Sequence, residues 1–398
     1  MKLVVVNDMH PLQNPGAASI AYSLACSAKD EWDVEYWCGW NNSNHKPDDS
    51  VIPVRSFNVK TTLERQRLEN LGRKLCAEFL PGKVFWWFLL QIFKSRPDVV
   101  WVHQIGTRFP RSILIITRLL GIRTVWTIHD FGLILPRKLY PRDLGIIDSE
   151  VDIFMELLPS HSNDESRSTF SGIEHSFILK LRLIIIRGLT HLTNQMIFIS
   201  PMQQQIYSRF GFRSRSIIPN GVDSCECDKN SIVRDSKSIL FAGRSTGKGF
   251  ELLLQALEKN LEFHLHLAGG LDLQHQAQRR LESTSFTYHG ALNSSEVHSL
   301  IHKVDMVSVA SECFDVYPTI TLEALRHGSY PITTKVTGNF RLVESISYHL
   351  LLEYGSPIDL KGILDSINLV SSTNQEIREK LPTVKQVFGD YRSYLIKS

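Results

Sequence analysis

The chain has 398 residues, of which 43% are hydrophobic and 21% charged, an ordinary globular composition and a length that fits two domains. No apolar run approaches the ~20 residues that span a bilayer, and the run after Met1-Lys2 is too short for a signal peptide, so a cytoplasmic protein is expected. Six cysteines without zinc spacing, of which only Cys225 and Cys227 are close, favour free thiols in a reducing compartment.

Charge is divided unevenly along the chain. Residues 1–220 hold 26 Lys and Arg against 20 Asp and Glu, net +6, whereas residues 221–398 hold 18 against 21, net −3. The window 51–137 alone holds 14 against 5, net +9. A basic first half suits an anionic partner: a phospholipid surface, a lipid pyrophosphate or a nucleic acid. A solvated basic surface without a partner explains the same charge equally well.

The first half alternates short β-branched strands with helices, which predicts a doubly wound α/β domain. Strands are predicted at Leu3–Val6, Val34–Trp37, Asp98–His103, Thr124–Ile128 and Met196–Ser200, and helices from Ala17, over Ile113–Leu120 and over Pro201–Phe210. The polar segment Pro136–Phe177 is predicted to be an irregular insertion. The domain boundary is placed at Ile217–Asp223 (IIPNGVD).

His129 follows the core strand Thr124–Ile128, in the sequence His129-Asp130-Phe131. A lone histidine is more often a satisfied core residue than a functional one. Its place at the carboxyl end of a strand, where this class of sheet binds ligands, favours a functional role.

The second half repeats the alternation. Strands are predicted at Ser238–Ala242, Phe263–Ala268, Phe286–His289, Val304–Val309 and Tyr330–Thr333, with helices at Phe250–Leu257 and near Pro382–Ile396. The loop Gly243–Gly249 (GRSTGKG) has a superficial likeness to a P-loop. It is one residue short and lacks the Ser or Thr that would hold Mg²⁺, which argues against an NTPase.

The stretch from Ser311 to Gly338 carries the clearest motif. Pro318 suits the first position of a helix that ends at Gly328, and Thr319 and Glu323 lie one turn apart on it. A helix N-terminus is a natural cradle for phosphate. Asp315, beside that cradle, is better suited to accept hydrogen bonds from sugar hydroxyls. Together these features predict a nucleotide-sugar site.

The Asp315-x7-Glu323 spacing resembles the acidic-x7-Glu motif of the retaining GT-B glycosyltransferases of the family 4 type. The common form of that motif is Glu-Gly-Phe-Gly before the helix, whereas this chain has Asp-Val-Tyr-Pro. Glu312 is a rival for the first acid, but its spacing to Glu323 is three residues too long. The segment IIPNGVD and the loop Gly243–Gly249 also resemble that family's interdomain segment and its GR…KG loop, the loop being one residue shorter than usual.

The resemblance implies a role for each matching residue. Asp315 would contact the donor sugar, Glu323 the ribose hydroxyls, and Arg244 and Lys248 the diphosphate. His129 would lie near the transferred sugar, and Gly290 would meet the nucleotide base. The remaining donor-binding residues implied by the resemblance are Gly16, in place of a usual Gly-Gly pair, and Tyr317, Pro318 and Thr319. The expected catalytic group is His129, Asp315, Arg244 and Lys248.

The fold that the resemblance implies is GT-B: two Rossmann-like doubly wound α/β domains facing a central cleft. The acceptor-side domain would be residues 1–214 with a returning helix in 379–398, and the nucleotide-sugar domain would be residues 215–378. No metal or other cofactor is expected, because no DxD follows a strand and Arg244 and Lys248 can supply positive charge. No nucleic acid partner is expected.

Two apolar segments raise the question of a membrane. Lys83–Phe93 (KVFWWFLLQIF) is aromatic and flanked by Lys and Arg, which suits an interfacial anchor, and Leu181–Leu189 (LRLIIIRGL) is similar. Helices buried against the sheet explain both segments equally well. The lipid-linked acceptors of many relatives favour contact with the inner face of the plasma membrane.

The sequence therefore predicts a retaining, metal-independent glycosyltransferase that moves a sugar from a nucleoside diphosphate to an acceptor hydroxyl. A lipid-linked glycan of a bacterial surface polysaccharide is the acceptor we expect. Two alternatives stay open: a sugar-nucleotide epimerase of the same architecture, and a catalytically silent sugar-nucleotide-binding scaffold.

Overall fold

The computed structural model describes residues 1–12, 16–40, 51–58, 78–80, 82–135, 139–140, 172–214, 216–223, 235–281, 285–367 and 371–396. The chain divides into two compact units. The first comprises Met1–Arg137, Arg142–Ile218 and Val387–Ser398, and the second comprises Lys138–Pro141 and Pro219–Gln386. Leu139 and Tyr140 thus belong with the second unit, although they precede the predicted boundary.

The first unit is built on a seven-stranded parallel sheet in the order β3-β2-β1-β4-β5-β6-β7. Its strands are β1 Lys2–Met9, β2 Asp33–Trp40, β3 Val54–Asn58, β4 Val99–Val102, β5 Arg123–Ile128, β6 Gln195–Phe198 and β7 Ser216–Ile217. β1 lies between β2 and β4, with Val4 opposite Glu35 on one side and Val100 on the other. Its apolar run is fully buried, as expected for a strand that is covered on both faces.

Five helices of the described ranges belong entirely to this unit. They are α1 Ala17–Ala28, α2 Lys83–Ser95, α3 Ile113–Leu119, α4 Gly172–Thr190 and α5 Pro201–Arg209. The predicted irregular insertion Pro136–Phe177 lies mostly outside the described residues. At its end the prediction is wrong, because α4 is already helical from Gly172.

The second unit holds a six-stranded parallel sheet in the order β10-β9-β8-β11-β12-β13. Its strands are β8 Asp235–Gly243, β9 His264–Gly269, β10 Phe286–Gly290, β11 Val304–Val309, β12 Tyr330–Thr334 and β13 Leu351–Leu352. Its helices are α6 Phe250–Leu257, α7 Leu271–Arg280, α8 Ser294–Lys303, α9 Thr319–His327, α10 Phe340–Glu344, α11 Leu360–Ile367 and α12 Ser371–Lys380. Apolar side chains pack on both faces of this sheet.

The last helix, α13 Val384–Leu395, starts in the second unit and continues in the first. Within the first unit, Tyr391 stacks at a tilt on Trp101 of β4 with 4.7 Å between ring centroids, and Phe388 meets Trp32 edge-on at 5.2 Å. The pair of doubly wound α/β domains predicted from the sequence is confirmed.

Two further expectations can be compared with the described residues. Among them, Cys26, Cys38 and Cys313 form no disulfide, whereas Cys225 and Cys227 lie outside the described part of the chain. None of the helices in the described ranges combines the length and the apolarity that a bilayer crossing requires.

Candidate active site

The acid predicted to contact the sugar is held in place by its own backbone. Asp315 donates its N–H to the carbonyl of Val336 at 3.0 Å, and its carbonyl accepts the N–H of Gly338 at 2.7 Å. Both partners lie just after β12, so the Asp315 loop is fastened to the neighbouring strand end. The Asp315 carboxylate pairs with the Lys248 ammonium and accepts the Ser311 hydroxyl at 3.2 Å.

Lys248 reaches Asp315 because its loop is pressed against the end of β11. Gly249 has a φ of +73°, and a Cβ at this position would stand 1.9 Å from the carbonyl oxygen of Ala310. The carbonyl of Gly247 accepts the N–H of Glu312 at 3.2 Å. Only glycine fits position 249, and this close approach joins the Gly243–Gly249 loop to the Asp315 loop. Arg244 is exposed near the start of the same loop.

The helix that follows Asp315 has an N-terminus without a side-chain cap. α9 begins at Thr319, so Pro318 occupies the N-cap with φ −62° and ψ 119° and not the first helical position that the sequence predicted. Proline has no side-chain oxygen to cap the first turn. The Thr321 N–H donates to the Pro318 carbonyl at 3.3 Å, whereas the N–H groups of Thr319 and Ile320 precede it and can bind an anion. The Pro318 carbonyl accepts the side-chain amide of Asn339 at 2.9 Å, and that of Tyr317 accepts the side-chain amide of Asn220 at 3.4 Å.

Glu323 lies one turn into α9, and the Thr319 hydroxyl donates a hydrogen bond to its carboxylate. Burial raises the pKa of the Glu323 carboxyl, and the charge of His298 on α8 and the Thr319 hydrogen bond act against that rise. The predicted pairing of Thr319 and Glu323 on one helix face is therefore present. A carboxylate that accepts one hydroxyl, as Glu323 does from Thr319, keeps capacity to accept further hydrogen bonds.

Gly290 ends β10 with a φ of +74° and with open space where a side chain would begin. The preceding His289 stacks on His266 of β9, and Nδ1 of His266 lies 3.0 Å from Nε2 of His289. Burial lowers the pKa of both imidazoles, that of His266 to about 4. Sequence reasoning missed this pair, although the alternating histidines of HLH in β9 offered a signal.

In the first unit, His129 also has a partner that the sequence did not predict. Nε2 of His129 lies 2.7 Å from Nδ1 of His103, and the rings stack with centroids 5.0 Å apart. Each histidine follows the last residue of its strand, His103 after β4 and His129 after β5, and these strands are neighbours. Burial lowers the pKa of His129 to about 4 and, together with the charge of His129, lowers that of His103. Both rings are therefore neutral near pH 7, and one nitrogen donates to the other.

The outer nitrogens of the two rings, Nδ1 of His129 and Nε2 of His103, are buried and have no hydrogen-bond partner among the described residues. The Asp130 carboxylate is not a partner for either nitrogen, because it accepts hydrogen bonds from the side-chain amide of Gln104 at 2.9 Å and the N–H of Gly132 at 2.8 Å. Asp130 therefore caps the turn after His129. The choice of donor within the pair decides whether Nδ1 of His129 carries a proton.

A buried ion pair fixes the loop that follows His129. Arg182 of α4 forms a bidentate pair with Glu78, at 2.9 and 2.8 Å. The same guanidinium donates to the carbonyls of Gly132, Leu133 and Ile134, at 2.5, 3.0 and 3.2 Å. Burial lowers the pKa of Arg182 to about 10, so it stays charged near neutral pH.

The ten predicted site residues fall into two sets. Gly16 and His129 belong to the first unit, Gly16 preceding α1 with a φ of +100° and open space at its Cβ position. The other eight belong to the second unit, where Lys248 meets Asp315 and Thr319 meets Glu323. Within the described ranges, no group of three or more His, Cys, Asp and Glu residues is arranged to hold a metal ion.

The fold and these residues define a two-domain α/β protein of the GT-B type. A family model described as Glycosyltransferase Family 4 matches residues 16–225, more than half of the chain, and one described as Glycosyl transferases group 1 matches residues 236–365. The chain belongs to glycosyltransferase family 4.

One curated relative is the lipopolysaccharide 1,2-N-acetylglucosaminetransferase of Salmonella typhimurium, 25% identical over 205 residues. The match covers 44% of this chain and 52% of that protein, so it spans about half the length of the relative.

Solved structures resemble the whole chain. Anabaena Alr3699/HepE in complex with UDP-glucose has a TM-score of 0.66 at 16% identity and covers 99% of each chain. The E. coli trehalose-6-phosphate structure bound with UDP-2-fluoro glucose has a TM-score of 0.64 at 12% identity, also with 99% of each chain. At such identities the likeness shows the shared GT-B fold.

Proposed function

We propose that the protein transfers a sugar from a nucleoside diphosphate sugar to a hydroxyl of an acceptor glycan. The observation that carries the proposal is the junction of Lys248, Asp315 and the uncapped start of α9 in the second unit. It sets a cation, a carboxylate and helix N–H groups without a side-chain cap beside one another, which are the groups that a diphosphate and a sugar require.

Each group has a separate task in this proposal. Arg244, Lys248 and the first turn of α9 neutralise the diphosphate, and Lys248 does so most as the diphosphate leaves. Asp315 accepts hydrogen bonds from the sugar, and Glu323, oriented by Thr319, accepts those of the ribose. The bond between the anomeric carbon and the diphosphate breaks, the acceptor oxygen forms the new bond, and the acceptor's proton is released.

The roles of the remaining residues follow the family resemblance. His129, whose ring is oriented by its hydrogen bond with His103, acts near the transferred sugar. Gly290, Gly16, Tyr317 and Pro318 contact the donor. We favour a uridine nucleotide, because the solved structures of the same fold are described as complexes with UDP-sugars. Transfer with retention at the anomeric carbon belongs to the same proposal.

The acceptor that we propose is a lipid-linked glycan of a bacterial surface polysaccharide, used at the cytoplasmic face of the membrane. The Salmonella relative, whose name is that of a lipopolysaccharide transferase, supports this choice. No metal ion is needed in the proposal, because two cations of the Gly243–Gly249 loop supply the charge.

The test is a panel of nucleoside diphosphate sugars incubated with isolated lipid-linked acceptors and read by mass spectrometry. We expect one donor to add a single sugar to one acceptor class, with release of the nucleoside diphosphate and, by NMR, retention at the anomeric carbon. Conversion of a donor into its epimer without an acceptor would show an epimerase instead. Tight nucleotide binding with neither reaction would show a silent scaffold.

A further inference from the structure

Three of the described helices lie on one face of the first sheet. A connection between parallel strands is right-handed, so the direction in which the chain moves along the sheet decides the face on which its helix packs. The crossovers β3-α2-β4, β4-α3-β5 and β5-α4-β6 all move in the same direction along the strand order, whereas β1-α1-β2 moves in the opposite one. α2, α3 and α4 therefore cover the face opposite to α1. Trp37 of β2 packs on Trp87 and Phe88 of α2, as this assignment requires.

The outward sides of these helices are apolar. On α2 and α3 the exposed large side chains are spaced by three or four residues, and on α4 two neighbours follow Leu181 by three and four residues, so each set forms one stripe of its helix. They are between 39 and 80% exposed: Trp86, Leu90 and Phe93 on α2, Ile115 and Leu119 on α3, and Leu181, Ile184 and Ile185 on α4. We call these eight residues the three-helix face. A helix that packs one side on a sheet normally turns polar side chains to water, so three adjacent apolar stripes indicate a partner.

The sheet side of each helix is separately filled, so the exposed stripes are not needed for the core. Buried residues point to the sheet from the same three helices: Phe88 and Ile92, Ile113, Leu114 and Ile116, and Leu179, Leu183 and Ile186. On α2 the two neighbouring tryptophans divide between these roles. Trp87 meets Trp37 and Phe57 edge-on and lies tilted against Phe109, whereas Trp86 is exposed.

The charges on the helices of the three-helix face are mostly positive. α2 and α3 contain no Asp or Glu, and α4 contains one, Glu174. The same helices contain six cations: Lys83, Lys94, Arg118, Lys180, Arg182 and Arg187. Arg182 is buried and paired with Glu78, whereas Lys83, Lys94, Arg118 and Arg187 are exposed. An apolar surface edged by exposed cations is complementary to anionic headgroups above an acyl layer.

We propose that the three-helix face docks on a lipid bilayer that contains anionic lipids. The apolar side chains enter the headgroup region, Trp86 sits at the depth that aromatic rings favour, and the cations contact lipid phosphates. The benefit of docking rests on the proposed function, because docking would bring the active site to a lipid-linked acceptor. Docking itself requires neither donor nor acceptor.

The test is co-sedimentation of the full chain with vesicles, without any nucleotide or glycan. One vesicle type is phosphatidylcholine with about one third phosphatidylglycerol, and the other is phosphatidylcholine alone. We expect binding to the anionic vesicles and at least about tenfold weaker partition to the neutral ones. Binding should weaken between 0.1 and 1 M NaCl, since the screening length falls from ~10 Å to ~3 Å.

One variant removes an apolar side chain from each helix: Trp86→Ser, Leu119→Ser and Ile184→Ser together. Its matched control is Leu261→Ser, Leu271→Ser and Tyr348→Ser, three exposed apolar residues of the second unit. We expect the first variant to lose at least about tenfold in partition and the control to bind like wild type, with both melting near the wild-type temperature. Soluble donor hydrolysis, measured without vesicles, reports the site separately from docking.

Three results would overturn the proposal. A folded wild-type protein that does not co-sediment with anionic vesicles overturns it directly. Loss of a concentration-dependent dimer in the first variant, without vesicle binding by wild type, would assign the face to a second copy of the chain. Marked destabilisation of the first variant alone, again without vesicle binding, would mean that these side chains stabilise the fold itself and do not serve a docking surface.

Discussion

Glu323 is a carboxyl group in surroundings that disfavour its charged form. Burial is the largest influence on it and raises its pKa, while the charge of His298 and the hydroxyl of Thr319 act in the opposite direction. A carboxyl whose pKa is higher in the folded state binds its proton more tightly there than in the unfolded chain. Its stabilising contribution is thus present at low pH and is lost as the pH rises through the folded-state pKa.

We therefore expect Glu323→Gln to separate stability from binding. The variant keeps the shape and removes a charge that is half-buried, so the free protein should melt at or above the wild-type temperature at pH 8. This gain should vanish as the pH is lowered through the folded-state pKa. Nucleotide affinity should fall about 10- to 100-fold, because hydrogen bonds to a charged group contribute roughly 1.5–3 kcal/mol.

Thermal melts at several pH values and calorimetric titration with UDP measure both effects. Glu376→Gln, an exposed carboxylate of α12, is the matched control and should change neither. Unchanged affinity in the Glu323 variant would leave this residue with a purely structural role.

Lys248 and Asp315 neutralise each other in the free protein, and a diphosphate competes for the same ammonium. Lys248→Ala is expected to lower turnover by ~10²–10³ while changing donor affinity much less, since its charge matters most as the leaving group develops. Steady-state rates and equilibrium titration separate the two quantities. Lys259→Ala, an exposed lysine just after α6, is the control, and near wild-type turnover of Lys248→Ala would remove Lys248 from the site.

At the scale of an element, the Gly243–Gly249 loop depends on one close backbone contact. The left-handed conformation of a residue with a side chain costs roughly 1–2 kcal/mol, and at position 249 a Cβ also overlaps the carbonyl oxygen of Ala310. Gly249→Ala must therefore move the loop away from β11 and carry Lys248 with it.

Gly355 provides an unusually close control for this prediction. Its φ is +75° against +73° for Gly249, but no atom lies within 4 Å of its Cβ position. We expect Gly355→Ala to lower the free energy of unfolding by about 1–2 kcal/mol and leave turnover unchanged. Gly249→Ala should cost more and abolish most transfer. An equal loss in the free energy of unfolding for the two variants, measured in urea, would show that the backbone at Ala310 moves aside at little energetic cost.

Elements with local signals could be predicted from the sequence, and those that depend on distant partners could not. α6 and β11 have the predicted bounds, and α9 ends as predicted because Gly328 adopts the left-handed conformation. β3 was missed: its five residues pair with β2 at the edge of the sheet. The start of α4 was missed too, since its sequence lies within a polar segment without clear period.

The candidate site shows the same division. The spacing from Asp315 to Glu323 and the glycines of the Lys248 loop are short-range patterns that could be read directly. The partners His103 for His129 and Glu78 for Arg182 could not, because they lie 26 and 104 residues away in sequence. The choice between Trp86 and Trp87 for the core required knowing which side of α2 meets the sheet.

At the scale of the whole molecule, charge and task are distributed between the two halves of the chain. The first 220 residues carry a net charge of +6, to which the helices of the three-helix face contribute. Residues 221–398, which contain eight of the ten predicted site residues, carry a net charge of −3. An anionic donor therefore gains no long-range attraction from that half, and its binding must depend on nearby groups such as Arg244, Lys248 and the start of α9.

This distribution leads to a prediction about metal removal. If those groups supply the positive charge, UDP should raise the free energy of unfolding equally in EDTA and in Mg²⁺, by about 2.7 kcal/mol at a hundredfold excess over its dissociation constant. The transfer rate should also be the same in both buffers. Combining Arg244→Ala and Lys248→Ala should remove most of the stabilisation in either buffer, whereas Arg279→Ala with Lys259→Ala, an equal loss of charge at exposed positions, should not. A stabilisation and a rate that disappear in EDTA and return with Mg²⁺ or Mn²⁺ would show that a metal ion carries the charge here assigned to Arg244 and Lys248.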